Sequence, residues 1–183
     1  MSVLSNQDIA RELGYGELDV SPVNFKEQLQ PNSLDIRLND EFSIFEYENK
    51  PIDVKKGIED SEYDNVICDK FTIEPGQFVL ADTIENFNIP AYLYGQIHGR
   101  SSIGRLGLEV HSTAGLVDAG YNGSITLELK NNNKRPITIY SGMRIGQIVF
   151  HELSSKCNNP YSGKDNKYQG QSGVVHSRIN EEL

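Results

Sequence analysis

An all-β sandwich or barrel is the fold class that this sequence predicts, on three observations. From Leu34 onward, short apolar or alternating runs follow one another: LDIRL, FSIFEY, FTI, FVLADT, YLYGQIH, ITLEL, ITIY and RIGQIVF. Turn residues separate them, at Pro31-Asn32-Ser33, Pro75-Gly76, Asn122-Gly123, Asn131 to Lys134 and Ser141-Gly142. No long helical period competes with that pattern.

The one helix that the pattern supports comes first. Ser5 stands as N-cap with Asp8 in the first turn, Ile9, Ala10 and Leu13 give an apolar stripe, and Gly14 and Gly16 end it. The strand runs follow. Between the second and third of them, residues 46–65 (EYENKPIDVKKGIEDSEYDN) are polar and highly charged, with little periodicity. They read as an exposed excursion, with no chemistry assigned to them. The tail, residues 154–183, is rich in Ser, Asn, Gly and Lys, with Tyr161, Tyr168 and Val174-Val175 to anchor it. Left alone it would be mobile.

Length and charge narrow the function classes. A chain of 183 residues fits one domain with a substantial core. Cys68 and Cys157 form no CxxC pair, and no 18-residue apolar span or N-terminal leader is visible, which reads as a soluble, reduced, cytoplasmic protein. The net charge of −9 argues against nucleic acid or an anionic membrane as partner. That charge is uneven: residues 1–98 carry 7 basic and 19 acidic residues, a balance of −12, whereas residues 99–183 carry 10 and 7, a balance of +3. An anion would bind the second half.

The densest chemistry lies there, in GRSSIGRLG (residues 99–107), HSTAGLVDAGYNG (111–123) and ITLEL (125–129). Arg100, Arg105, Ser101 and Ser102 between glycines suit a phosphate, and suit equally a tight turn whose arginines pair with acids. The string is neither a P-loop nor a dinucleotide fingerprint. On a strand, Glu128 between Leu127 and Leu129 points into water, or, with Thr126 on the same face, into a cleft where it acts as general base. Asp118, before Gly120, is at a strand end where Asp often bonds its own backbone. His98, His111, His151 and His176 have no metal-ligand spacing, and the HxE and PCxxC strings of zinc deaminases are missing, so the expectation is chemistry without zinc.

GRSSIGRLG and HSTAGLVDAGYNGSITLEL, with PGQF upstream, MRIGQIVF downstream and PYSGKDNKYQGQSG near the end, resemble the motifs of the dCTP deaminases of the trimeric dUTPase superfamily. The likeness takes in LSNQDIAREL and QPNSLDIRL too, and so nearly the whole chain outside residues 46–65. It implies a single domain over residues 1–183, a distorted jelly-roll or β-barrel of the dUTPase-like type with a short N-terminal helix. It further implies a homotrimer with active sites at subunit interfaces, and residues 154–183 closing as a lid over bound nucleotide.

Residue by residue, the resemblance implies that Arg100, Ser101, Ser102, Ile103, Gly104 and Arg105 span the triphosphate-binding and catalytic turn, Ser101 and Arg105 holding and polarising the water or base ring. Glu128 would be the general base for attack of water on cytosine C4, with the Ala114 backbone helping to hold that water. Asp118 would bind the deoxyribose 3′-hydroxyl, Tyr121 would stack under the sugar, and Thr126 and Leu127 would contact the base edge through their backbone. Gln147, Tyr161, Lys167 and Gln171 would complete the phosphate and lid contacts. Mg²⁺ would come with the triphosphate, held by phosphate oxygens and water, and dTTP is the implied feedback inhibitor.

Gly115 and Leu116, in STAGLVDAGY, resemble the dUMP-forming members, which deaminate dCTP and also cleave the α–β phosphoanhydride. The expectation is therefore dCTP and water to dUMP, ammonia and pyrophosphate, feeding thymidylate synthesis. The alternatives are a deaminase that releases dUTP, a dUTPase, and a non-catalytic nucleotide sensor.

Overall fold

The computed structural model describes residues 2–45, 51–163 and 166–182. Residues 46–50 of the charged excursion and residues 164, 165 and 183 of the tail lie outside the described residues. In chain order the elements begin with α1 (Asn6–Tyr15), β1 (Asp19–Ser21), α2 (Phe25–Gln28), β2 (Leu29–Gln30) and β3 (Ser33–Phe45). Next come β4 (Tyr63–Ile67), β5 (Lys70–Ile73), β6 (Phe78–Thr83), β7 (Asn86–Asn88) and β8 (Leu93–Gly99). After α3 (Ser101–Gly104) follow β9 (Leu108–Val110), β10 (Leu116–Val117), β11 (Asn122–Gly123), β12 (Thr126–Asn131), β13 (Ile137–Tyr140) and β14 (Arg144–Glu152).

The fold is mostly β, a curled antiparallel half-barrel with few helices, as the alternation predicts. Its main sheet runs β10-β8-β14-β3-β6-β12-β9, with β2 and β4 added along β3, and two small sheets, β1-β7-β11 and β13-β5, complete it. The 13-residue β3 is the spine. Its first half pairs with β14 (Ile36 with Gly146), and after a register shift between Leu38 and Phe42 its second half pairs with β6 and β4. A shift of this kind bends a strand and raises its twist, which lets one strand serve both walls. The core is filled by Leu34, Ile36, Leu38, Phe42, Val79, Leu127, Leu129, Ile148 and Phe150, each fully buried.

Glu85 is a polar knot in this frame. The residue has no exposed surface. Its Oε2 accepts from the Arg37 backbone N–H at 2.9 Å, and its Oε1 from Arg37 Nε at 2.7 Å and Gln28 Nε2 at 2.8 Å. Gln28 Nε2 also donates to the Asp35 carbonyl at 2.8 Å, and Gln28 Oε1 accepts from Asn24 N at 2.7 Å. A buried carboxylate is tolerated only when charge and lone pairs are answered in this way. The knot ties α2 to β3 and to the turn after β6.

Several sequence readings are corrected. The α1 cap forms as predicted, Ser5 and Asp8 bonding reciprocally, but the helix runs through Gly14 to Tyr15 and only Gly16 caps it. LDIRL and FSIFEY are not two strands, because β3 is continuous from Ser33 to Phe45. Asn122-Gly123 is no turn: it is β11, paired with β7, and the reversal falls at Ala119-Gly120. Residues 63–65 of the excursion belong to β4, where Tyr63 is buried. No helix among the described residues is long and apolar enough to cross a membrane.

Replacing Glu85 with Ala removes the acceptor that Arg37 N, Arg37 Nε and Gln28 Nε2 share. The expected loss is about 3–5 kcal/mol, as for breaking other buried pairs, read as a lowered midpoint in urea-induced unfolding. A midpoint within error of the parent's would show the knot to be dispensable.

Candidate active site

Strand alternation decides the site. Leu127 and Leu129 of β12 are fully buried in the core, so Thr126 and Glu128 must face the other way. What they face is a cavity of about 470 Å³, not open solvent. Phe78 and Leu80 of the paired strand β6 share its floor, the segment from His111 to Asp118 forms one wall, and Tyr161, Tyr168, Gln171, Val175 and His176 of the tail form the other. Glu128 is half-buried. Its Oε2 accepts from the Thr113 backbone N–H at 3.2 Å, with the Thr113 hydroxyl at 3.5 Å. Its Oε1 has no partner among the described residues and is left for a ligand or water.

Asp118 and Tyr121 sit on the same cavity. Exposed Asp118 closes β10, its carbonyl accepting from Tyr121 N at 3.1 Å. The turn needs Gly120, whose φ of +88° suits glycine, and a Cβ there would lie 2.6 Å from Pro160 Cβ. Tyr121 is 7% exposed, its hydroxyl donating to the Ser124 carbonyl. Burial pushes that hydroxyl well above the ordinary tyrosine range, with Tyr161 adding to the shift. The tail closes on this floor: Tyr161 N donates to the Ala119 carbonyl at 2.8 Å, and Gln171 Nε2 donates to the Ser124 carbonyl at 2.7 Å.

The arginine-serine turn is built separately. Ile103 of α3 is buried in the core and anchors the turn, which leaves Ser101, Ser102, Gly104 and Arg105 exposed. Arg100 is clamped, its Nε 3.4 Å from the Asp35 carboxylate and its Nη1 donating to the Arg144 carbonyl at 3.0 Å. Arg144 reaches the same carboxylate at 3.1 Å. Burial still holds the Asp35 carboxyl above the ordinary range, against the pull of the two guanidiniums. Arg105 has no ion-pair partner among the described residues. Gln147, on β14, lies beside the turn, its Nε2 3.4 Å from the Gly99 carbonyl and its Oε1 accepting from Ser33 Oγ at 3.1 Å.

Within one chain these two halves do not share a cavity. The turn opens to a second hollow, of about 400 Å³, lined by Arg100, Ser101 and Gly104 among others. His111 is the wall common to both. Of the residues named from the sequence, the Glu128 cavity gathers Ala114, Leu116, Asp118, Tyr121, Thr126, Tyr161 and Gln171. Leu127 contributes backbone only, in register with Ala81. Gly115 supports β8, its carbonyl accepting from Ile97 N at 2.7 Å, and a Cβ on it would come within 3.1 Å of the Ile97 carbonyl. Half-buried Lys167 lies in the tail with its Nζ 6.0 Å from the Tyr168 ring centroid.

Three residues escaped the sequence reading. Thr113 holds Glu128, and its place in HSTAG was the available signal. His111 has a φ of +67° and a buried Nδ1 with no partner among the described residues, which no spacing rule would flag. Asp82, inside the run FVLADT, pairs with Thr126 across β6 and β12 and is 1% exposed. Its Oδ2 accepts from Asn39 Nδ2 at 3.2 Å and its Oδ1 has no partner among the described residues. Burial raises this carboxyl to about 7; the Asn39 hydrogen bond opposes the shift, and Glu41 and Asp40 add to it.

The dCTP deaminase-like family model matches residues 3–153. A relative from Methanosphaera stadtmanae named "dCTP deaminase, dUMP-forming" is 41% identical over 190 residues, covering 100% of this chain and 96% of its own. One from Haloarcula marismortui named "dCTP deaminase" is 45% identical, covering 97% of this chain and 94% of its own. Among solved structures, the 2′-deoxycytidine 5′-triphosphate deaminase from Agrobacterium tumefaciens superposes with a TM-score of 0.66 at 22% identity, over 82% of this chain and 48% of that one, a likeness of fold.

The Asp82 carboxyl carries a sign that can be tested. It keeps its proton up to about pH 7 when folded and only to about 3.8 otherwise, so between those values the folded protein binds more protons. Stability therefore falls as pH rises through that window. Asp82→Asn, which stays neutral, is expected to raise the melting temperature at pH 8 and to change it little at pH 4. An equal change at both pH values would remove Asp82 from the pH dependence.

Proposed function

The chain belongs to the dCTP deaminase-like family, and from that premise we propose that it converts dCTP and water to dUMP, ammonia and pyrophosphate. The observation that carries this reading is the Glu128 carboxylate facing a cavity with one oxygen fixed by Thr113 and the other open. In that setting Glu128 takes a proton from the water that adds to cytosine C4. It then passes the proton to the departing amino group, so ammonia leaves and uracil remains. Asp118 accepts from the deoxyribose 3′-hydroxyl, and Tyr121, held rigid by Ser124, closes the floor beneath the sugar where a 2′-hydroxyl would crowd it. A second water attacks the α-phosphorus, breaking the α–β anhydride and releasing pyrophosphate.

Homotrimeric assembly is part of the proposal. The separation of the α3 turn from Glu128 into two hollows supports it, because a neighbouring chain can bring Ser101 and Arg105 to the Glu128 cavity and supply the cation that the triphosphate needs. Ser101 and Arg105 would polarise the base or water there. Among the described residues no group of three or more His, Cys, Asp or Glu could hold a metal ion. In this reading Mg²⁺ comes with the triphosphate substrate, held by phosphate oxygens and water, and no step is routed through it. Cytoplasmic location and feedback by dTTP belong to the same reading.

A second reading, release of dUTP, is favoured by one observation: the Haloarcula marismortui relative, at 45% identity, is named "dCTP deaminase" without the dUMP-forming qualifier. The region around Gly115 separates the two readings, because a bulky residue there pushes on the β8 backbone and reshapes the wall over the phosphates.

Chromatography of nucleotides after incubation with dCTP and Mg²⁺ is expected to give dUMP and pyrophosphate; dUTP alone would favour the second reading, and untouched dCTP would refute both. Glu128→Gln keeps the shape but accepts no proton, so ammonia release should fall by about 10²-fold or more while nucleotide binding persists. Full ammonia release would take Glu128 out of the mechanism. Gly115→Val should slow anhydride cleavage more than deamination, measured as dUTP accumulating in the reaction.

A further inference from the structure

The excursion that the sequence left without a role meets the C-terminal tail. Residues 168–178 cross the mouth of the Glu128 cavity as a strap, held by Val174 N donating to Glu41 Oε2 at 3.2 Å and Val175 N donating to Thr126 Oγ1 at 3.1 Å. Beyond these, His176 inserts its ring into a made-to-measure slot. The ring stacks on Tyr63 with centroids 3.6 Å apart and planes 4° from parallel. Nδ1 donates to Asp60 Oδ1 at 2.8 Å, and Nε2 lies 2.9 Å from the hydroxyl of fully buried Ser43. With its side chain 12% exposed, His176 is stacked on one face and satisfied at both nitrogens. Each partner sits on the excursion or on the spine that carries it: Asp60 in the turn of helix Asp60–Glu62, Tyr63 at the start of β4 opposite Phe45, Ser43 on β3. Ile179 reaches to within 3.1 Å of where a Cβ on Gly57 would stand.

We propose that the segment from Gly57 to Tyr63 is the dock for the C-terminal strap, and that His176 is a positioning residue that seats the strap over β12. This rests on the reading of the β12 cavity as the deamination site. His176 shares the cavity lining with Glu128, but its hydrogen bonds and its stack go to Ser43, Asp60 and Tyr63. It acts through Val175, one residue away, whose amide occupies the Thr126 hydroxyl, and through Gln171, whose amide closes on the floor under Tyr121. An aromatic stack and two hydrogen bonds are strong enough to decide whether a polar, glycine-rich tail is ordered. The strap must seat to enclose the nucleotide and unseat to release product, so the dock sets apparent affinity more than the chemical step.

Hydrogen–deuterium exchange and steady-state kinetics on the full-length protein test this together. His176→Ala is expected to speed exchange at the amides of residues 174 and 175 about tenfold or more without nucleotide, with β12 unchanged, and to raise KM for dCTP about tenfold while kcat moves less than about threefold. Tyr63→Leu should give the same pattern from the dock side, and His176→Phe, which keeps the stack, should recover part of the protection. Unaltered strap exchange in both His176→Ala and Tyr63→Leu would overturn the proposal, as would equal loss of protection along β12, which would make the slot a matter of folding. Wild-type protein inert toward dCTP but with a strap released by His176→Ala would refute the deamination reading and leave the dock standing.

Discussion

The alternation of β12 is the constraint on which this structure turns. A strand sends successive side chains to opposite faces, so burying Leu127 and Leu129 in the core commits Thr126 and Glu128 to the other side. A one-residue slip in the β6 pairing would place a carboxylate among Phe42, Val79 and Ile148, which its desolvation forbids. Core packing thus aims Glu128, and Thr113 fixes one of its oxygens. The acid is positioned by the same hydrophobic surface that stabilises the sheet.

Around that strand the molecule distributes roles by element. The α3 turn is nailed down by Ile103 in the core and by the Arg100–Asp35–Arg144 cluster, leaving its serines and Arg105 outward. This division explains why two arginines in one short motif differ: Arg100 is spent on the scaffold and Arg105 is available. His111, between the two hollows, hangs from the Glu128 carbonyl by its own N–H at 2.9 Å, so any movement of the turn or the acid's strand is felt at one residue.

The tail is ordered by its surroundings and not by its composition. Its glycines and polar residues offer little to bury, yet Gly120 and Gly123 leave room for it: a Cβ on either would collide with Pro160 or with the Gln171 backbone. Small residues on the body make a track, and Pro160, Tyr161 and Gln171 fill it. Asp82, beneath Thr126, adds a carboxyl that burial keeps protonated to near neutrality at the edge of the same track.

Much was legible in the sequence, and for a physical reason. Two-residue periodicity is a local property, so the β class, the strands FVLADT, ITIY and RIGQIVF, and the capping of α1 by Ser5 could be read without coordinates. The motif strings also carried the family. Short strands such as β7, β10 and β11 could not be read, because two or three residues have no period and pair only where a partner strand happens to lie. The same limit hid the site's supports. Whether Glu128 faces water or a cleft, whether Arg100 is free or clamped by Asp35, and whether His176 is surface or slot depend on contacts between residues 15 to 133 positions apart. Sequence determined which residues could do chemistry; only the tertiary structure decided which of them meet, because burial and direction are properties of the packed sheet and not of the strand alone.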